Sequence, residues 1–140
     1  MLPGDLDPTS CTHLIYAFAT LKNSTIGFIG KKAVEEEALR QFVALRLKNR
    51  HLKVMVAIGG WTDGSTKYSN MVKSPLKRQV FVASVVNFLK AYNLDGIDID
   101  WYDNPVLAMT FTKNRTFSSF DQGSIQLTLE NMDKTELSGE

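Results

Sequence analysis

Residues 95–102 read Asp95-Gly96-Ile97-Asp98-Ile99-Asp100-Trp101-Tyr102, and how this octapeptide is read decides the fold. Ile97 and Ile99 are β-branched and favour an extended segment, and in a strand every second side chain shares a face. Asp98, Asp100 and Tyr102 therefore point one way, and Ile97, Ile99 and Trp101 the other. Two neighbouring carboxylates partly withdrawn from water raise each other's pKa and tend to share a proton. Proteins keep such a pair chiefly where it is used. The bland alternative is an edge strand with its acids in water, which the apolar and glycine flanks of the acids disfavour.

Upstream, the run HLIYAFA at residues 13–19 is apolar, β-branched and aromatic, and polar Lys22-Asn23-Ser24 follow it. It reads as a strand buried on both faces, since nothing in it alternates. Residues 53–58, KVMVAI, read as a second buried strand, closed by Gly59-Gly60. Between residues 32 and 50 the spacing of Val34, Ala38, Phe42 and Leu45 predicts an amphipathic helix. Its acids Glu35 to Glu37 lie near the start and its bases Arg46, Lys48 and Arg50 near the end, as the helix dipole favours.

Ser74-Pro75 predicts a second helix start, a hydroxyl cap followed by proline at the first position. Phe81, Val85, Phe88, Leu89 and Tyr92 mark the buried face of that helix, and Asn93 suits a left-handed stop. Strand, helix, strand, helix, strand in that order implies right-handed crossovers and a parallel sheet, an α/β fold. With only three such strands, two parallel edges and one apolar face are expected to lie open. After Tyr102 the sequence turns polar, and only residues 125–129 look ordered, as an alternating strand. Two regions follow: residues 1–102 as the α/β part and 103–140 as a divergent tail.

Composition excludes several classes. The 140 residues are 44% hydrophobic and 22% charged, as in a globular domain. Sixteen basic and 15 acidic residues leave a formal charge of +1, so no broad attraction to nucleic acid or to an anionic membrane is implied. No apolar run approaches the roughly 18 to 20 residues that cross a bilayer. The start, Met1-Leu2-Pro3-Gly4-Asp5, lacks the regions of a signal peptide, so no export signal is expected in these residues. One cysteine, Cys11, and two scattered histidines, His13 and His51, make no metal site. No metal or other cofactor is expected. Asn23-Ser24-Thr25 and Asn114-Arg115-Thr116 fit the N-glycosylation pattern, which is common by chance.

The octapeptide resembles a known family. Asp95, Gly96, Asp98, Asp100 and Trp101 match the D-G-x-D-x-D-x-E motif of the family 18 chitinases, which lies at the end of the fourth strand of a (β/α)8 barrel. KVMVAIGGWTDGSTKYSNMV, residues 53–72, resembles that family's third strand and Gly-Gly-Trp loop, and CTHLIYAFA, residues 11–19, its second strand. The resemblance runs from about Leu2 to Trp101 and implies an incomplete TIM barrel. Its second to fourth strands and two helices are represented, followed by an irregular tail.

In that family the motif's final glutamate protonates the glycosidic oxygen while the substrate's own N-acetyl group attacks the anomeric carbon. The resemblance implies that Asp100 orients the N-acetyl group, turning between it and Asp98. It implies that Phe18 floors the sugar subsite and that Trp61 stacks on a ring, with Gly59 and Gly60 leaving backbone uncovered beside the substrate. Trp101, the motif's tryptophan, is grouped with these substrate-binding positions. The implied ligand is chitin or a chito-oligosaccharide, with no obligate protein partner, and the implied location is extracellular. In the family Cys11's position often pairs with a cysteine near the first strand; that partner is missing here, and a free thiol is expected.

The departure falls at the acid. Either tyrosine has replaced the glutamate, or the glutamate is deleted and the family's next residue has moved up. Both leave Tyr102 in the slot. A phenol, with a reference pKa of about 10 against about 4.3 for glutamic acid, is a feeble proton donor at neutral pH. Three functional readings stay open: a family 18 chitinase-like protein disabled in hydrolysis, a non-catalytic chitin-binding lectin, and a truncated product without independent function.

Overall fold

The structure, a computed structural model, describes residues 3–101 and 124–128. Its elements are β1 (His13–Lys22), β2 (Thr25–Phe28), α1 (Lys32–Ala44), β3 (Lys53–Gly59), α2 (Thr66–Lys73), α3 (Pro75–Ala91), β4 (Gly96–Asp100) and β5 (Ser124–Thr128). One sheet runs in the order β2-β1-β3-β4-β5. Its centre is the expected parallel trio: Tyr16, Val56 and Ile97 are in register across β1, β3 and β4, as are Ala17, Ala57 and Asp98.

The ends of the sheet differ from expectation. β1 runs three residues beyond Ala19 and turns at Asn23 and Ser24, both with positive φ, into the antiparallel β2. Polar residues that signalled a strand end are in fact a two-residue hairpin turn, whose left-handed backbone Asn tolerates well. β5 pairs antiparallel with all of β4, so strand order is present at residues 124–128, one position from the predicted 125–129. Both flanks are therefore partly covered by antiparallel strands; the outer edge of residues 13–18 carries no partner among the described residues.

β3 is buried from Val54 to Ile58 on both faces, as its continuous apolar run predicts. β1 is not: Ala17 and Phe18 are exposed, and only Ala19 to Leu21 are buried. An apolar run shows what a strand can bury and not what its neighbours supply.

The helices lie against one face of the sheet. Leu39, Phe42 and Leu45 from the α1 region and Phe81, Val85, Val86 and Leu89 from α3 join Val54, Val56, Ile58, Ile97 and Ile99 in one apolar cluster. Ser74 caps α3 by accepting a hydrogen bond from the Lys77 amide, with Pro75 in its first turn, and Asn93 stops it at φ 54°. α1 ends at Ala44 and tightens into a 3-10 turn over Leu45–Leu47, short of residue 50. Val34, placed on the buried face by its spacing, is 65% exposed. Glu35 turns toward β1 beside it and accepts a 2.5 Å hydrogen bond from Tyr16. α2 was not anticipated: it is only eight residues long, and its buried Tyr68, Met71 and Val72, though at helical spacing, are set among polar residues.

Candidate functional site

The motif strand joins two different environments. At its amino end, Asp95 sits just before β4 and works inside the protein. Its carboxylate accepts from the Val54 amide at 2.7 Å and pairs with Arg46, while its own amide donates to Val54 O at 2.8 Å. Arg46 also donates to the Asn93 carbonyl at 2.5 Å. Asp95 thus ties the start of β3 to β4 and to the turn after α1.

At the carboxyl end, Ile97, Ile99 and Trp101 all join the apolar cluster under the helices. Asp98 and Asp100 alternate with them and face the opposite side of the sheet. That alternation was legible in the sequence. Asp98 is buried, at 9% exposure, and lies level with Ala57 and Ala17. Asp100 is half-buried, and desolvation holds its carboxyl above the ordinary carboxylate value. Burial is the cause of that shift, where the sequence had suggested repulsion between neighbouring acids.

Gly59 and Gly60 close β3 against the end of β4. The Gly60 amide donates to Asp100 O at 2.8 Å. A Cβ on Gly59, whose φ is +100°, would lie 2.2 Å from that same carbonyl oxygen, so no other residue fits. A Cβ on Gly60 would meet the far edge of the Phe18 ring at 3.1–3.3 Å. Phe18 occupies a bulge where β1 slips register between Ala17 and Ala19, and follows a cis peptide bond. Phe18, Gly59, Gly60, Asp98 and Asp100 are thereby brought to one end and one face of the parallel sheet. In α/β sheets the carboxyl ends of the strands are where ligands bind.

Of the other two candidates, one is exposed next to this end of the sheet and one is buried on the opposite face. Trp61 follows Gly60 and is 88% exposed. Trp101 is 7% exposed, packs against Tyr68 with ring centroids 5.9 Å apart, and belongs to the apolar cluster; its parity puts it on the helix side, away from the carboxylates. Tyr102 lies outside the described residues, as does Asn114. Cys11 is a free thiol.

Beside this end lies a cluster that sequence reading missed. Asp63 accepts hydrogen bonds from Thr20 Oγ1 at 2.7 Å, Lys67 Nζ at 2.5 Å and Tyr68 OH at 2.5 Å. Burial works against the Asp63 carboxylate, yet these donors hold its pKa below the ordinary value. Burial and the same bond push the Tyr68 phenol far up, and Asp100 adds to that rise through its charge. The only signal was the four-residue spacing of Asp63 and Lys67, which has meaning once α2 is known.

Comparison with known proteins bears on this geometry. The family model described as glycosyl hydrolases family 18 matches residues 2–132. The chain belongs to glycosyl hydrolase family 18. It is 44% identical over 100 residues to an endochitinase of Manduca sexta, covering 69% of this chain and 18% of that protein. It is 39% identical over 99 residues to chitotriosidase-1 of Mus musculus, covering 71% of this chain and 21% of that one. Among solved structures, a Group IV chitinase of Ostrinia furnacalis superposes with a TM-score of 0.69 at 37% identity, over 75% of this chain and 30% of that one. The human pseudo-chitinase YKL-39, described as retaining chitooligosaccharide binding, superposes with a TM-score of 0.66 at 29% identity, over 88% of this chain and 36% of that one. The family 18 chain therefore spans about a fifth of the length of these curated relatives, and its α/β sheet is an incomplete TIM barrel.

Proposed function

We propose that the Asp98–Asp100 face is the sugar-binding face of a chitinase-like domain, which holds chito-oligosaccharide and turns it over poorly or not at all. The observation that carries this reading is the meeting of Asp98, Asp100, Gly59, Gly60 and Phe18 at the carboxyl end of the parallel strands, on the face opposite the apolar cluster. A carboxylate whose protonated form is favoured by burial can donate to, or accept from, an acetamide group, which offers one carbonyl and one N–H. Phe18 supplies an apolar floor beside it. Trp61, exposed at the same rim, supplies a ring on which a sugar can stack.

Tyr102 completes the reading. In the slot of the proton donor it removes general acid catalysis, which contributes roughly 10²- to 10⁴-fold. The Asp98 and Asp100 side chains remain as binding and orienting groups. Extracellular placement follows from the family. The likeness to a pseudo-chitinase that retains chitooligosaccharide binding supports a sugar-binding face that outlasts the loss of turnover.

Calorimetric titration with chitopentaose, using cellopentaose as the control, tests the reading. Saturable binding of the acetylated oligosaccharide alone, with no shorter products released on incubation, is the expected result. Equal binding of both sugars, binding of neither, or hydrolysis by the native sequence would overturn it.

A further inference from the structure

Trp61 is carried by the short segment between β3 and α2, which holds the positive-φ glycines Gly60 and Gly64 and follows a third, Gly59, the last residue of β3. Such a segment has a wide choice of conformations, and it carries an indole that is 88% exposed. Two anchors restrict that choice. At the start, the Gly60 amide donates to Asp100 O. Three residues on, the Asp63 amide donates to Gly60 O at 3.2 Å, closing a turn with Trp61 and Thr62 at its tip. The Asp63 side chain then fixes the far leg of the turn to two elements at once, through Thr20 on β1 and through Lys67 and Tyr68 on α2. Lys67 Nζ also donates to Thr20 Oγ1 at 2.6 Å, which closes the cluster.

We infer that Asp63 is a positioning residue for sugar binding: its carboxylate clamps the Gly60–Asp63 turn and so sets Trp61 at the rim of the Asp98–Asp100 face. The inference rests on the proposed sugar-binding reading of that face. The clamp has the right chemistry for holding. An aspartate with three donors loses several bonds at once if it moves, whereas the glycines on either side offer little resistance of their own. Its side chain is 11% exposed, so water is a poor substitute for the donors.

The test is a double-mutant cycle on the full chain. Asp63→Ala and Trp61→Ala are each expected to weaken chitopentaose binding roughly tenfold, and the double variant no further, because the first change acts through the second residue. Losses that multiply would overturn the inference. Asp63→Asn keeps the shape and one acceptor oxygen; it is expected to give a smaller loss, and it replaces the alanine variant in the cycle should that variant fail to fold. A second arm needs no sugar. In protein carrying 5-fluorotryptophan, Trp61 and Trp101 give separate ¹⁹F signals, assigned with Trp61→Phe. The Asp63 variant should narrow and shift the Trp61 signal and leave that of Trp101 in place. A displaced Trp101 signal beside an unchanged Trp61 would assign Asp63 to the packing of Tyr68 and end the inference. If the native protein binds no chitopentaose, the sugar-binding reading fails, and the ¹⁹F arm still decides whether Asp63 holds the turn.

Discussion

The two ends of β4 carry the same residue type and do opposite things with it. Asp95, before the strand, has its charge met by Arg46 and its oxygen met by the Val54 amide. Asp100, at the far end, has a carboxyl that burial pushes toward the protonated form, with no charge partner setting its shift. One aspartate is spent on holding strands together, and the other is kept under electrostatic tension facing away from the core. The motif that looks uniform in sequence is therefore divided along the strand: a carboxylate that joins strands at the amino end, and at the carboxyl end a desolvated one on the face we propose for sugar.

The largest effect expected from breaking this division is on turnover. Restoring a carboxylic acid by Tyr102→Glu, or by inserting glutamate between Trp101 and Tyr102, is expected to raise release of product from a chromogenic chito-oligosaccharide by roughly 10²- to 10⁴-fold. The two variants separate replacement from deletion as the origin of the tyrosine. No gain from either would mean that the carboxyl end of β4 binds sugar without being arranged for proton transfer.

At the amino end the expected effect is on stability. Asp95→Ala strands the Val54 amide and leaves Arg46 without its carboxylate, a loss of roughly 2 to 3 kcal/mol, seen as a lower urea midpoint at unchanged slope. An equal loss from Asp98→Ala would erase the contrast between the two ends. Gly59→Ala comes next, at roughly 1 to 3 kcal/mol, because a Cβ there meets the Asp100 carbonyl at a φ that L-residues avoid. A lower urea midpoint at unchanged slope is the expected result, and an unchanged midpoint would mean that the end of β3 shifts to admit the methyl group.

Much of this division could be read from the chain alone. The parity of Asp98 and Asp100 against Ile97, Ile99 and Trp101 follows from strand geometry, and the same rule conflicts with placing Trp101 beside the sugar; in the structure it lies in the apolar cluster. The role of Asp95 was not legible, since Arg46 is 49 residues away and only the tertiary fold makes them neighbours. β2 was missed because Asn23 and Ser24 look like a strand end as much as a hairpin turn. The Asp63 cluster was missed for the same reason as Asp95: Thr20 lies 43 residues from Asp63. Periodicity reports faces, and long-range polar partners leave no periodic trace.

The smallest effect is the most telling about the carboxyl end. Desolvation raises the folded pKa of Asp100 above the ordinary value of 3.8, so well above that range the ionised side chain costs the folded state more than the unfolded one. As pH falls through the raised folded value, the folded chain takes up its proton first and the cost disappears. Asp100→Asn carries no charge at any pH. It is therefore expected to be slightly more stable than the native chain at neutral pH. Its advantage should shrink as the pH is lowered toward 3.8, and thermal unfolding of both proteins across that range measures it. A stabilised asparagine variant that binds chitopentaose less well would show that the native residue is held there against stability for the sake of binding, as trade-offs at functional sites require. If asparagine instead destabilises the fold at neutral pH, Asp100 is a structural residue like Asp95, and the two ends of β4 are alike after all.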